Sequence, residues 1–350
     1  MQNPFTTTFS KIPLLSYIQR DEISKILENF SYDEPSESVY KITGARGSGK
    51  TIILAKIEEG LSKDENWCVC RLSVNRDMLT QLFGDLMNKG VIKNKGKITG
   101  LNISATILGN GAGIGLNKEN IAKIDQGVEL DNCFQSLKDT KKKILIGIDD
   151  VSRTTHMIEF ASEFSKWLRA GYHVYLVCTG LYENIESLSN VKNLTFFRRA
   201  TTIQSKTLNN VRMVEMYKKT LKVDVEKAKY LAALTKGYAY AFQKLGSLYF
   251  ESDTKNMDDI IAELKAELYS YSYEKIWEEL TTEDRFLISF LKKDNVEYKR
   301  ETLVEEMGSK HANYNVYRDR LIKRGLINNR QGVISLALPF FAEYMKDYCS

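Results

Sequence analysis

Residues 44–51 read Gly44-Ala45-Arg46-Gly47-Ser48-Gly49-Lys50-Thr51, which fits the pattern G-x-x-x-x-G-K-[ST]. Before this segment, residues 38–43 alternate and are β-branched, which predicts a strand, while residues 52–58 continue as a helix. At such a junction, glycines let backbone N–H groups curl around a phosphate. We therefore predict a phosphate-binding loop, in which Lys50 reaches the β and γ oxygens and the Thr51 hydroxyl ligates Mg²⁺.

Apolar, strand-like runs alternate with amphipathic helical segments after this loop. The predicted strands cover residues 67–73, 144–149, 174–179 and 194–200. The clearest predicted helices cover residues 77–87, 119–138 and 156–170. This alternation predicts an α/β fold with a parallel sheet covered on both faces. Together with the loop at residues 44–51, it indicates the P-loop NTPase class.

Two strand ends carry polar groups. Residues 143–148 are apolar and lead into Asp149 and Asp150. We predict that Asp149 holds the metal through water and that Asp150 polarises the attacking water. Glu is the usual residue at the second position, and the shorter Asp predicts slow hydrolysis; solvated acids at a strand end are the alternative. Thr179 ends the next strand, where its hydroxyl either senses the γ-phosphate or caps the following turn.

The segment after the sheet is helical in pattern. Residues 211–221, 225–235 and 239–251 predict three amphipathic helices, which we interpret as a lid. Residues 258–280 predict a long helix whose aromatic residues Tyr269, Tyr273 and Trp277 form a packed seam.

The last region predicts a winged helix. Its helices are expected at residues 283–292, 300–307 and 312–324, followed by a hairpin over 327–336. The third helix and the hairpin are rich in cations, which we interpret as contacts to DNA. These candidate DNA-binding residues are Lys310, Arg318, Arg320, Lys323, Arg324 and Arg330. A docking module for protein, or a purely structural one, is the alternative.

A glycine-rich insertion lies at residues 90–118. Residues 101–107 alternate between apolar and polar, and Asn110-Gly111 marks a tight turn, so a projecting hairpin is predicted. Such a hairpin would contact DNA or another subunit, whereas a surface loop without function is the alternative.

Length and composition set wider limits. The 350 residues exceed what one core usually organises, and we expect domains at 1–205 (the ATPase base), 206–281 (lid and linker helix) and 282–350 (winged helix). Five scattered cysteines and three histidines favour neither a disulfide framework nor a zinc site. No apolar run approaches 18 residues, so we expect a cytoplasmic protein without a membrane partner.

Together these motifs resemble the AAA+ ATPases related to the origin-recognition complex, and also the signalling ATPases called STAND proteins. The stretches that carry this resemblance are Gln19-Arg20-Asp21-Glu22, Ile148-Asp149-Asp150, Thr179-Gly180-Leu181, Phe197-Arg198-Arg199-Ala200 and residues 234–240. The resemblance implies ATP and Mg²⁺ as cofactors and self-association through the nucleotide face. Arg199 would then act as a cationic finger towards a neighbouring subunit, although charges at the edge of a sheet are the alternative reading. Residues 237–241 lack the arginine that origin-recognition relatives place after the lid glycine.

The sequence therefore predicts an ATP-binding AAA+-like ATPase that binds double-stranded DNA under nucleotide control. The alternative is a STAND-like switch, or a regulator that binds ATP with little turnover, with protein as its partner.

Overall fold

The computed structural model describes residues 2–8, 12–92, 125–192 and 194–349, and the side chains of 309–311 lie outside the description. The chain divides into two compact units. Unit 1 comprises Met1–Ser24, Thr43–Ile53 and Gln204–Ser350, and unit 2 comprises Lys25–Ile42 and Leu54–Ile203. None of the described helices has the length and apolar character needed to cross a bilayer.

The central sheet has the order β2-β3-β4-β1-β5, and its pairs β2–β3, β3–β4 and β4–β1 are parallel. Its strands are β1 (Val39–Thr43), β2 (Trp67–Leu72), β3 (Lys143–Ile148), β4 (Val174–Thr179) and β5 (Thr201–Gln204). Strands β1 and β4 are buried along their whole length, as expected of parallel strands covered on both faces. The predicted α/β class is confirmed.

The helices that accompany this sheet are α1 (Asp21–Ser31), α2 (Lys50–Leu61), α3 (Met78–Asn88), α4 (Gln126–Leu137), α5 (Thr155–Arg169), α6 (Tyr182–Ser189) and α7 (Thr195–Arg199). Helix α4 begins where the Asp125 side chain accepts a hydrogen bond from the Val128 amide, later than the predicted start at residue 119. The hairpin predicted within the insertion at 90–118 falls on residues 93–118, which lie outside the described residues, as do residues 119–124.

The predicted strand over residues 194–200 is wrong. That segment forms helix α7, and the fifth strand follows it as β5. Leu194 and Phe197 are both fully buried, so the apolar spacing is three, which is typical of a helix, although consecutive aromatic residues favoured a strand. Arg198 and Arg199 are therefore exposed residues in the last turn of a short helix and do not end a strand.

The three helices that the sequence analysis interpreted as a lid are α8 (Asn210–Leu221), α9 (Val225–Leu234) and α10 (Ala239–Glu251), and they lie at their predicted positions. The next predicted helix is interrupted. It runs as α11 (Met257–Leu268), a π-helical turn at Tyr269–Tyr273 and α12 (Glu274–Glu279). Tyr273 is fully buried, and Tyr269 and Trp277 pack against the same core, so the aromatic seam is confirmed.

The C-terminal region has the element order expected of a winged helix, followed by one further helix. Its elements are α13 (Thr282–Ile288), β6 (Tyr298–Lys299), α14 (Arg300–Met307), a 3₁₀ turn (Gly308–Asn313), α15 (Tyr314–Arg324), β7 (Ile327–Arg330), β8 (Val333–Leu336) and α16 (Phe341–Tyr348). The three strands form an antiparallel sheet in the order β6-β8-β7. Helix α15 ends at Gly325, whose φ of 77° closes the helix in the left-handed conformation.

Candidate functional site

The loop between β1 and α2 has the backbone that its sequence predicts. Gly47 and Gly49 have φ angles of 73° and 90°, in the left-handed region that glycine adopts without strain. Helix α2 begins at Lys50, so the N-terminal end of the helix adjoins the loop. The Lys50 ammonium donates hydrogen bonds of 3.0 Å to the carbonyl oxygens of Gly44 and Ala45. This geometry fits a phosphate group, with a helix N-terminus and a lysine at one loop.

A buried arginine, Arg20, supports this loop from within unit 1. Its guanidinium donates to the carbonyl oxygen of Ser48 at 2.7 Å and to the Ser205 hydroxyl at 3.1 Å. Burial lowers the pKa of Arg20, while the nearby Glu22 carboxylate opposes that shift. Arg20 belongs to the stretch Gln19-Arg20-Asp21-Glu22, which the sequence analysis used only as part of a family resemblance. Its contact with the loop was not predicted. The sequence carried no local signal for it, because the two positions are distant in the chain.

The lid also contacts the loop. The Tyr238 hydroxyl donates to the Arg46 carbonyl at 2.6 Å and lies 2.7 Å from the Ser272 hydroxyl of the π-helical turn. The Tyr240 amide donates to the Gly47 carbonyl at 3.1 Å. Burial raises the pKa of Tyr238, so its hydroxyl stays protonated and able to donate. Two tyrosines of residues 237–241, the stretch that has no arginine, therefore contact the loop.

A pocket of about 470 Å³ lies in unit 1, where α1 begins and the chain enters the lid. Charged residues of both signs line it, including Arg20, Asp21, Lys206, Arg212 and Arg330. A second, smaller pocket shares Lys206, Thr207 and Gly237 with it and is also lined by Ala45 and Ser48 of the loop. Space of this size and polarity suits the part of a ligand that extends beyond its phosphates.

In unit 2, the three polar residues predicted at the strand ends lie together. The Thr179 hydroxyl donates to the Asp149 carboxylate and accepts from the Asp150 amide at 3.0 Å. Asp150 is exposed, and its φ of 53° is uncommon outside glycine, which marks a locally strained turn. The structure therefore brings Thr179 and Asp149 into direct contact and leaves the Asp150 side chain accessible.

A further acid of unit 2, Glu58, was not predicted. It is buried on α2, its carboxylate pairs with Arg71, and desolvation raises its pKa. A Cβ at Gly147 would lie 2.0 Å from a Glu58 carboxylate oxygen, so only glycine fits at this position of β3. The lone glycine within an apolar strand was the signal for this close approach.

The candidate DNA-binding arginines of α15 do not share an exposed face, which corrects the sequence interpretation. Arg324 is buried, and its guanidinium lies 3.5 Å from the carboxylate of Asp284, a residue without solvent exposure. Arg320 donates to the other oxygen of the same carboxylate at 2.5 Å. The side of α15 that faces the core therefore includes Arg320 and Arg324 as well as its apolar residues. Their burial is possible because the buried Asp284 carboxylate on α13 offsets their charge.

The remaining candidate cations have different surroundings. Arg318 is partly exposed and pairs with Asp319, whereas Lys323 and Arg330 are exposed. Lys310 belongs to the 3₁₀ turn, and its side chain lies outside the described residues.

A comparison with protein families also identifies a phosphate-binding loop in this part of the chain. Residues 19–162 match the family model described as the KAP family P-loop domain. Residues 270–345 match a second family model, described as a domain of unknown function, DUF8462. A search of curated proteins found no match to the chain.

Among solved structures, the Walker-type ATPase of Pyrococcus abyssi is 14% identical with a TM-score of 0.61, over 94% of this chain and 96% of that chain. Cdc6p from Pyrobaculum aerophilum is 13% identical with a TM-score of 0.46, over 95% of each chain. A STAND protein from Pyrococcus horikoshii is 17% identical with a TM-score of 0.40, over 95% of this chain and 43% of that chain.

The fold assignment rests on the family match and on the first of these structures. The chain has the fold of a P-loop NTPase, and the predicted resemblance to P-loop ATPases is confirmed at that level.

Proposed function

We propose that this P-loop ATPase binds MgATP at residues 44–51 and that the nucleotide controls its C-terminal region. The observation that supports ATP binding best is the loop itself, with left-handed glycines, a helix N-terminus and the Lys50 ammonium all at one place. The proposal requires an intracellular compartment, where MgATP is available.

Each candidate residue receives a role in this proposal. The Thr51 hydroxyl and the Asp149 carboxylate are oxygen donors of the kind that Mg²⁺ prefers, and Mg²⁺ neutralises charge on the phosphates. Thr179 orients the Asp149 carboxylate through its hydrogen bond. Asp150, which is exposed, accepts a proton from the attacking water. Arg199, exposed at the end of α7, contacts the nucleotide of a second copy of the chain.

We propose double-stranded DNA as the ligand under nucleotide control. The exposed cations Lys323 and Arg330, with Arg318 and Lys310, are the proposed phosphate contacts. Arg320 and Arg324 are proposed to act on DNA only if the pairing with Asp284 is released.

A second candidate function, a switch with a protein partner, is favoured by one observation. A Cβ at Gly325, at the end of α15, would lie 3.2 Å from the amide nitrogen of Ala45 in the phosphate loop. The C-terminal region therefore touches the loop directly, and its two best-placed arginines are used internally. Such an arrangement suits a domain that is held until nucleotide exchange occurs.

Calorimetric titration with MgATP tests the nucleotide site. Lys50→Ala should weaken binding at least about tenfold, because a charge-assisted hydrogen bond to phosphate contributes roughly 1.5–3 kcal/mol. Lys56→Ala is a matched control on the same helix, since Lys56 follows the first turn and pairs with Glu59. Equal affinity of wild type and Lys50→Ala for MgATP would contradict nucleotide binding at residues 44–51.

Retention on duplex DNA, with and without ATP, separates the two candidate functions. Nucleotide-controlled DNA binding predicts retention that changes with ATP and falls steeply with salt. Absence of retention in both states would favour the switch with a protein partner.

A further inference from the structure

The N-terminal segment packs against the lid through one aromatic side chain. Phe5 is only 5% exposed and belongs to the same core cluster as the lid helices. Its ring centroid lies 5.8 Å from that of Tyr217 on α8 and 6.0 Å from that of Phe242 on α10. Residues 3–8, which we call the strap, contain no helix or strand. Side-chain contacts of this kind therefore hold the strap in place.

Helix α10 has a gap in its surface that admits the Phe5 ring. A Cβ at Gly246 would lie 2.4, 2.5 and 2.7 Å from three atoms of that ring, too close for any side chain. Glycine in the middle of a helix is less favourable than alanine, so its presence there needs a local reason. Room for the Phe5 ring supplies that reason.

Hydrogen bonds fix the position of the strap along α10. The Asn3 side-chain oxygen accepts from the Phe5 amide at 2.9 Å, which forms an Asx turn. The Asn3 side-chain nitrogen donates to the Ser247 hydroxyl at 2.9 Å. The Thr6 amide donates to the Gln243 side-chain oxygen at 3.1 Å. The strap is thus held by its backbone as well as by its ring.

Gln243 also connects the strap to the chain that leads to the charged pocket. Its side-chain nitrogen donates to the Ser16 carbonyl at 3.2 Å. The buried Ser16 hydroxyl lies 2.9 Å from both the Gln243 side-chain oxygen and the Pro4 carbonyl oxygen. Residues 19–22 follow closely and line the pocket of about 470 Å³. Gln243 therefore holds the strap and the chain before the pocket wall at one place.

The pocket wall at residues 19–22 is fastened in two further ways. Arg20 bonds it to the phosphate loop through the Ser48 carbonyl. Arg212 of α8 donates to the Gln19 carbonyl at 2.7 Å and pairs with Asp21 at 3.2 Å. The Arg212–Asp21 pair is exposed, and pairs of this kind stabilise weakly. The buried contacts of the strap therefore supply an attachment to the lid that this exposed pair does not.

We infer that Phe5 is a positioning residue for the nucleotide pocket, because the strap anchors residues 16–22 to the lid. A wall that is already ordered receives the nucleoside without a further loss of conformational freedom, so the strap raises the affinity for nucleotide. The phosphates bind at residues 44–51 and do not use the strap. The inference rests on the proposed nucleotide site and adds how its pocket wall is held.

Titrations with MgATP and with magnesium tripolyphosphate test this role. Phe5→Ala should bind MgATP roughly three- to tenfold more weakly than wild type, which is the cost of ordering a few side chains again on binding. Tripolyphosphate has no nucleoside, so its affinity should change by less than about twofold. Phe5→Leu keeps an apolar side chain in the gap and should bind MgATP nearly as wild type does.

Two further variants control this experiment. Leu14→Ala removes a side chain that is 82% exposed in the same N-terminal region, and it should bind MgATP as wild type does. Asn3→Ala removes the Asx turn without opening the core, and it should weaken MgATP binding by a smaller factor than Phe5→Ala does. Unchanged MgATP affinity in Phe5→Ala, or an equal loss for ATP and tripolyphosphate, overturns the positioning role.

Thermal unfolding tests the anchor without any nucleotide. Gly246→Ala should lower the midpoint by about 2–6 °C, because the new methyl group collides with the Phe5 ring. In the Phe5→Ala background the same substitution should raise the midpoint by about 1–2 °C, because alanine is the better helix former. A decrease of the midpoint in both backgrounds overturns the anchor.

Amide hydrogen exchange separates failure of the anchor from failure of the nucleotide site. Without nucleotide, Phe5→Ala should exchange about threefold faster than wild type over residues 16–22, and Leu14→Ala should not. Unchanged exchange in Phe5→Ala overturns the anchor. A wild type that does not bind ATP overturns the nucleotide site, and with it the positioning role, while exchange still decides the anchor.

Discussion

The phosphate loop and helix α15 both carry residues that the sequence marks as functional, yet their surroundings differ. The loop has the conformation and the flanking elements that its motif predicts. In α15, by contrast, Arg324 is buried and Arg320 pairs with the buried Asp284. A motif that acts through its local backbone can be interpreted from sequence. Whether the arginines of a helix are exposed or buried depends instead on the residues that pack against that helix.

The largest expected effect concerns Asp284, the buried acid that pairs with Arg320 and Arg324 of α15. Asp284→Ala leaves two arginines without their buried partner, so we expect a loss of about 3–5 kcal/mol of unfolding free energy. Urea denaturation measures this loss. Asp319→Ala, which removes the exposed partner of Arg318, is the control and should change stability by no more than about 1 kcal/mol. A small loss in Asp284→Ala would restore the interpretation of an exposed cationic face.

The second prediction concerns the loop. Gly47→Ala places a Cβ 2.2 Å from the Tyr238 hydroxyl at a φ of 73°, and should cost about 2–4 kcal/mol through strain and overpacking. Gly332→Ala is the matched control, because its φ of 86° is similar but no atom lies within 4 Å. Its cost should be only about 1–2 kcal/mol of left-handed strain. Thermal unfolding of the two variants should therefore separate them, and equal midpoints would show that the lid does not confine the loop.

The third prediction concerns turnover. Asp150→Asn should lower the rate of ATP hydrolysis about a hundredfold, because a positioned base contributes at least that factor. Asn also tolerates the positive φ of Asp150, so the turn should remain intact. Single-turnover assays measure the change, with the exposed Asp139→Asn as control. An unchanged rate would leave Asp150 as a residue of the turn alone.

The smallest expected effect concerns DNA. Lys323→Ala and Arg330→Ala should each lower the slope of log affinity against log salt by about one unit, because each removes one phosphate contact. Binding titrations on duplex DNA at several salt concentrations measure the slopes, and the exposed lid residue Lys218→Ala is the control. Slopes equal to the wild-type value would contradict DNA contact through Lys323 and Arg330.

Sequence alone determined the features that depend on local spacing. These features are the phosphate loop, the order of strands and helices up to residue 179, the three helices over residues 210–251 and the hairpin at 327–336. They could be predicted because turns, caps and apolar periods act over a few residues. The helix at 195–199 was missed because its short apolar pattern fits either period.

Only the tertiary structure decided which charges face the interior. Arg20 supports the loop, Glu58 rests on Gly147, and Asp284 draws Arg320 and Arg324 inward, all through partners distant in sequence. A charged residue enters the core when a buried partner and hydrogen bonds offset its desolvation, and the position of that partner is a property of packing. For the same reason the Arg46–Glu279 ion pair could not be predicted from sequence, since its residues are 233 positions apart in the chain.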